Sequence, residues 1–302
     1  MSSGDMREIV VPRLVRARVE RLTLTGGEPF VHPELTKICT DAVAAGLSLG
    51  ICTNGTGVTD EIIEDLRMLG NVHVNVSFDG FRAESHGRFR GSIDSFVETV
   101  DTARRLGAAG LLQGFLSTPN AFTSVHDYTA LTEFAHEVGA KYLLMNPLSS
   151  FGRGVRAKQR LGVGVEVMRA IRSAAEAVAA DDVEIVPIRF PNDSAPLGTC
   201  IAGEIVYIFV DGAVAVCPYL VFAARTPQSR YQDSDFIVGN ILRGEIGEAL
   251  DAYRFHERYK VGDNKTCANC SLSGSCGKGC PAAVIAAGGS IGDRDIDTCP
   301  LP

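Results

Sequence analysis

The sequence predicts an α/β chain in which a parallel sheet layered with helices precedes a small cysteine-rich domain containing a β-hairpin. Three observations carry this. Between residues 19 and 147, short β-rich runs alternate with amphipathic helical patterns, as in strands joined by crossover helices. Gly46, Gly70, Gly107 and Gly139 fall where those helices should stop. Seven of the nine cysteines lie after residue 199, which gives the last third a chemistry of its own.

Before the first strand stands one poor helical segment, Met6–Arg16, which Pro12 interrupts or begins. Strands are predicted at Arg21–Thr25, Ser48–Cys52, Val72–Phe78, Leu111–Leu116 and Tyr142–Met145. Each is a brief apolar run, as expected of a strand buried on both faces. Helices are predicted at Pro33–Ala45, Asp60–Leu69 with Thr59 as cap, Ile93–Leu106 and Val125–Val138. Residues 148–162 read as a Gly- and Arg-rich connection, followed by a helix at Val165–Ala180 and a strand near Val183–Ile188. After the punctuated run FPNDSAPLGTC, two apolar runs, Ile205–Val210 and Ala213–Val216, flank Asp211-Gly212 and read as a hairpin. A short helix at Ile246–Tyr259 precedes the cysteine run. The domain boundary falls near Phe190, giving domains 1–190 and 191–302.

A net charge of -7 argues against nucleic acid as a partner, because that affinity rests on phosphate neutralisation by Lys and Arg. The start has charges and a proline where a signal peptide needs an apolar stretch, and no run approaches the ~20 apolar residues of a spanning helix. A cytoplasmic, reducing location with no membrane association is therefore expected, in which structural disulfides are disfavoured.

Cys267, Cys270, Cys276 and Cys280 are spaced C-x2-C-x5-C-x3-C in TCANCSLSGSCGKGCP. Four thiols packed this densely point to a metal or a metal cluster. Iron-sulfur clusters take Cys thiolates, normally four. Tetrahedral zinc also accepts four, although it would leave Cys200, Cys217 and Cys280 without a shared purpose. Cys39 and Cys52 fall on a predicted helix and strand and read as core thiols.

Thr25-Gly26-Gly27-Glu28-Pro29 follows the first predicted strand, at the strand end where parallel α/β folds place ligands. Paired glycines admit a ligand close to the backbone, and Glu28 offers a carboxylate to an ammonium group. The following strands end in Thr53-Asn54-Gly55 and in Ser77 with Asp79-Gly80, whose side chains can bond ribose hydroxyls. Each alone also fits an ordinary turn; together they line one sheet edge.

On these residues the chain resembles the radical SAM superfamily, a partial β/α barrel with a GGEP motif. The resemblance implies that Gly26, Gly27, Glu28 and Pro29 meet the methionine end of S-adenosylmethionine. It further implies that Ser77 holds its ribose and that Arg90 of an H-x3-R element beginning at His86 meets a carboxylate; Asn54 and Asp79, at the neighbouring strand ends, are the further cofactor-binding candidates. For His86 a structural role is equally expected. The family's C-x3-C-x2-C loop, which holds the radical-generating 4Fe-4S cluster, does not occur in this sequence. The expectation is that the first strand and this loop lie upstream of Met1, or that the member is degenerate; the third cluster is expected only where that loop exists.

The series Cys200, Gly212, Cys217, Cys267, Cys270, Cys276, Cys280, Cys299 resembles the seven-cysteine SPASM domain. By that resemblance one auxiliary 4Fe-4S cluster takes Cys267, Cys270, Cys276 and Cys299, and a second takes Cys200, Cys217 and Cys280. The second has either an open iron or a ligand such as Glu204 or Asp211. Anaerobic sulfatase maturases place an Asp directly after the equivalent of Cys217, where this chain has Pro218. Asp211 and Asp193 are the remaining acids considered as a base, and no catalytic residue is assigned. The resemblance implies a maturase of ribosomally made peptides that abstracts hydrogen with a 5'-deoxyadenosyl radical and takes electrons from a flavodoxin or ferredoxin. Oxidation of a small metabolite or tetrapyrrole precursor, and a non-catalytic iron-sulfur scaffold, are the alternatives.

Overall fold

The structure, a computed structural model, describes residues 1–149, 152, 154–191 and 194–299. Six strands form one sheet: β1 (Arg21–Leu24), β2 (Ser48–Thr53), β3 (Val72–Ser77), β4 (Leu112–Ser117), β5 (Tyr142–Met145) and β6 (Glu184–Pro187). They lie side by side in chain order, and every pair is parallel. Strict sequential order with crossover helices produces a curved partial barrel. All six strands therefore end on the same edge.

The helices Leu35–Ala44, Asp60–Leu69, Ser95–Ala108, Val125–Glu137 and Val165–Val178 connect these strands. Thr59 caps the second through its hydroxyl, which accepts from the Ile62 N–H. Strand β3 corrects the expectation of burial on both faces. Val72, Val74 and Val76 are buried, whereas His73, Asn75 and Ser77 are half-exposed. One face packs under helices and the other lines the open interior of the partial barrel.

Other elements differ from the sequence reading for identifiable reasons. Pro12 does not break the first helix, which runs through Ser3–Asp5, a wide turn at Met6–Val10, and Val11–Arg16. The wide turn removes the need for a Pro12 N–H and gives its ring room. The connection after β5 contains a helix, Gly154–Leu161; Ser150, Phe151 and Arg153 of that stretch lie outside the described residues. The helix expected over Ile246–Tyr259 is split into Gly247–Tyr253 and Phe255–Arg258, because Arg254 adopts a left-handed φ of 39°.

The hairpin is shorter than expected: β7 (Tyr207–Ile208) pairs antiparallel with β8 (Ala213–Ala215). An unforeseen β9 (Ile237–Asn240) completes a three-stranded sheet. Val214, Ile241 and Ile246 from this region join the main core with Leu14, Val10 and Val11 of the first helix. Arg16 adds a two-pronged contact to Glu245 at 2.7 and 3.1 Å. The N-terminal helix thus straps the last third of the chain to the sheet. A second cluster, including Val216, Leu220, Val221, Phe236, Phe255 and Ile285, forms a smaller core beneath the cysteines. Among the described residues no helix is long and apolar enough to cross a membrane.

The loop leaving β3 is pinned by His86, which is fully buried with its ring 5.6 Å from Phe78 and 6.1 Å from Phe96. Its Nδ1 accepts from the Asp79 N–H at 3.2 Å, and Nε2 lies 3.4 Å from the Thr99 hydroxyl. These contacts assign a neutral ring protonated on Nε2. Burial, helped by the charge of Arg90, lowers the His86 pKa to about 4.

Two outcomes follow for stability. In the unfolded chain His86 titrates near the ordinary value of about 6.5, so between that pH and about 4 the unfolded state binds the extra proton. Stability is complete above the upper limit and falls through the window, by on the order of 3 kcal/mol. Urea denaturation against pH should show this slope, and His86→Gln should flatten it. A Cβ added at Gly107 would collide with the Val138 carbonyl oxygen. Gly107→Ala should therefore destabilise by about 1–3 kcal/mol despite the higher helix propensity of alanine, read from the urea midpoint.

Candidate functional site

At the strand edge, Glu28 joins the loops after β1 and β2. One carboxylate oxygen accepts from the Thr53 hydroxyl at 2.7 Å and the Phe30 N–H at 3.1 Å, and the other from the Asn54 N–H at 2.6 Å. This places Glu28 at the N-terminus of the single turn Pro29–Val31, whose Phe30 is buried. Gly26 has φ 139°, which a turn alone explains. Gly27 has no such requirement, and a Cβ at either glycine would meet nothing within 4 Å. The space over this backbone is open, which is what a ligand lying against it needs.

Asp79 performs the equivalent role for the next two loops. It is buried; Oδ1 accepts from the Thr118 N–H at 2.9 Å, and Oδ2 meets the Arg90 guanidinium at 2.6 Å. Burial raises its pKa, opposed by Arg90 and by the Thr118 N–H. Asn120 donates to the Asp79 carbonyl at 3.0 Å. Asn54 is likewise committed, its side-chain oxygen accepting from the N–H and hydroxyl of Thr56 at 2.8 and 2.7 Å. Ser77, half-exposed at the end of β3, lies on the open face.

A third junction, between the ends of β5 and β6, was not foreseen. Arg189 donates from Nε and Nη2 to the Asn146 side-chain oxygen at 3.2 and 2.7 Å, and from Nη2 to the Ser149 hydroxyl at 2.6 Å. Nothing in the sequence singles out an arginine two residues past a strand; only the pairing of β5 with β6 brings it to Asn146.

The cysteines fall into two groups. Cys267, Cys270, Cys276 and Cys299 line one pocket with Leu197, Thr266, Leu272, Lys278, Arg294 and Asp295. Three of the four sulfurs accept N–H bonds: Cys267 from the Asn264 amide at 3.3 Å, Cys270 from Leu272 N at 3.3 Å, and Cys276 from Leu197 N and Lys278 N at 3.4 Å each. N–H donors around thiolates are what cluster-ligating sulfurs use to spread their charge. Among the described residues no three His, Cys, Asp or Glu side chains converge on a point suited to a single ion; these sulfurs surround a space.

Cys217 and Cys280 each stand directly before a helix, Pro218–Ala224 and Pro281–Ala286, with proline in the first turn. The Cys217 sulfur accepts from the N–H groups of Leu220 and Tyr219, and that of Cys280 from Ala283 and Ala282. The free N–H groups and positive end of a helix favour a thiolate there. Burial pushes all three thiols of this group up, Cys200 to about 11. Cys200 is close enough to Cys217, Cys280 and Glu204 for their charges to act on it. Asp211 instead turns back in the hairpin, accepting from the Ala213 N–H at 3.1 Å. Asp193 lies outside the described residues. Cys39 is buried within its helix and Cys52 sits on β2, apart from both groups.

Residues 5–117 match the family model described as "Radical SAM superfamily". The AdoMet-dependent heme synthase of Methanosarcina barkeri is 35% identical over 133 residues, 44% of this chain and 38% of that protein. Mycofactocin maturase MftC of Mycobacterium tuberculosis is 26% identical over 288 residues, 92% of this chain and 70% of that protein. Among solved structures, Streptococcus suis SuiB bound to S-adenosylmethionine superposes with a TM-score of 0.72 at 13% identity, over 100% of this chain and 71% of SuiB. Over residues 5–117 the chain is thus similar to the radical SAM superfamily, and the open GGEP loop on a sequentially ordered parallel sheet accords with that match.

Proposed function

We propose that this is a radical SAM/SPASM maturase that modifies a ribosomally made peptide by hydrogen abstraction, with two auxiliary 4Fe-4S clusters in its last third. The observation that carries the reading is the grouping of the seven late cysteines. Cys267, Cys270, Cys276 and Cys299, spread over thirty-odd residues of chain, line one pocket with N–H donors at three of their sulfurs. Cys217 and Cys280 stand at two helix starts, with Cys200 close enough to feel the charge of both. That division is the one a two-cluster arrangement needs, and the donor set fits.

The auxiliary clusters, when bound, would supply one-electron chemistry or an anchoring iron. Around them this chain's residues position and exclude. Asn264, Leu197, Leu272 and Lys278 fix the sulfurs of the first group through N–H bonds. Glu204, rather than Asp211, is the acid beside the three-thiol group and is our candidate for its fourth ligand. At the strand edge, Gly26 and Gly27 leave the backbone open for S-adenosylmethionine, Glu28 retains a free lone pair for its ammonium, and Ser77 faces the ribose side. Asp79 and Arg90 are ion-paired and are assigned to holding that edge in shape. No residue of this chain matches the three-thiol loop for a radical-generating cluster.

A second reading, oxidation of a small tetrapyrrole-type metabolite, has the heme synthase in its favour, a protein whose 35% identity covers 44% of this chain. The maturases align over far more of it, 92% for MftC and 85% for the subtilosin biosynthesis protein AlbA of Bacillus subtilis. We infer a peptide substrate on that ground, with a flavodoxin- or ferredoxin-type electron donor.

Anaerobic reconstitution should load about eight irons per chain. Cys267→Ala and Cys217→Ala should each remove about four, from different groups. Bound zinc without iron would overturn the cluster assignment. Isothermal titration should show S-adenosylmethionine binding that Gly27→Val weakens about ten-fold or more, leaving the iron content untouched. For the enzyme reading, the coding sequence upstream of Met1 should contain an in-frame C-x3-C-x2-C, and the protein including it should form 5'-deoxyadenosine when given its precursor peptide. Cleavage that depends on a porphyrin precursor and ignores peptides would favour the second reading.

A further inference from the structure

Arg189 reaches both the sheet edge and the surroundings of the three-thiol group. Its backbone is left-handed, with φ 53°, a conformation that a non-glycine residue keeps only where its surroundings hold it. On one side the guanidinium grips Asn146 and Ser149 after β5. On the other it stands 5.6 Å from the centre of the Tyr219 ring, and the Tyr219 N–H donates to the Cys217 sulfur. Its charge acts on both Cys217 and Cys280. Two acids, Glu204 near Cys200 and Asp295 beside Cys280, carry the opposite sign.

We propose that Arg189 is a positioning residue that ties the strand edge facing the substrate to the Cys200/Cys217/Cys280 site and supplies the positive charge that sets the reduction potential of the cluster held there. This rests on the cluster reading above. A cluster gaining one electron becomes more negative by one charge, so a nearby guanidinium stabilises the reduced form and raises the potential. The fork to Asn146 fixes where that charge stands, and a substrate that displaces the loop after β5 would move it.

The test uses the reconstituted full chain and a redox titration followed by electron paramagnetic resonance. Arg189→Met should shift the potential of the three-thiol cluster to a more negative value and leave the other unchanged. Cys217→Ala identifies which signal is which. Arg189→Lys, which keeps the charge, should return most of the shift. An unchanged potential in Arg189→Met overturns the proposal, as does an equal shift of both clusters, which would report a general structural effect. Should Arg189→Met lose the cluster altogether, Arg189→Lys decides: a potential near the wild-type value supports the proposal, and one shifted well to the negative side of wild type despite the retained charge overturns it. Failure of the underlying reading is seen separately, in the iron content. A wild-type chain that loads only about four irons, or a Cys217→Ala variant that loses none, removes the three-thiol cluster before any potential is measured.

Discussion

The working edge of this protein depends on one kind of contact, a single charged side chain that spans two neighbouring strand ends. Parallel strands end in loops that share no ladder hydrogen bonds, so their mutual placement has to come from side chains. Glu28 does this for β1 and β2, Asp79 for β3 and β4, and Arg189 for β5 and β6. Two of the three use backbone N–H groups as partners, which gives directional bonds to an ionised acceptor and a defined loop conformation. Without these contacts the sheet would still form, since its core is made of residues such as Val74, Ile51 and Leu143. The edge would lose its shape.

The last third of the chain achieves its order differently. Its helices are short and its strands few, and what organises it is backbone N–H groups directed at sulfur. Cys217 and Cys280 each sit where a proline starts a helix, so the unbonded N–H groups of the first turn point at the thiol. The two helices pack on Val221 and Ile285 in a small apolar core. That core positions the sulfurs as much as the sulfurs' own bonds do.

The strands and the GGEP loop were legible in the sequence because they depend on local pattern: apolar runs, helix stops and paired glycines. The helix over Asp60–Leu69 and strand β5 were read to the residue. The division of the seven cysteines is what the resemblance implies, and four of them line one pocket. Helices Pro218–Ala224 and Pro281–Ala286 had a usable signal, a Cys-Pro pair followed by apolar residues, which went unread. Arg189, Asn146 and Thr118 had none. Each is an ordinary loop residue until β-pairing brings its partner alongside, and long-range register is not written in local composition.

Asp295 shows how closely the two thiol groups are bound together. Its Oδ2 accepts from the Cys280 N–H at 2.9 Å and from the Thr298 hydroxyl at 2.7 Å, while the residue lines the pocket of the other group beside Cys299. The stretch between Cys280 and Cys299 is therefore a loop closed on itself by a buried carboxylate, with one sulfur of each group near its ends. Closing a chain segment removes conformational freedom that each binding event would otherwise have to remove. Here that freedom is lost before either group is occupied, so one carboxylate shapes the chain around both.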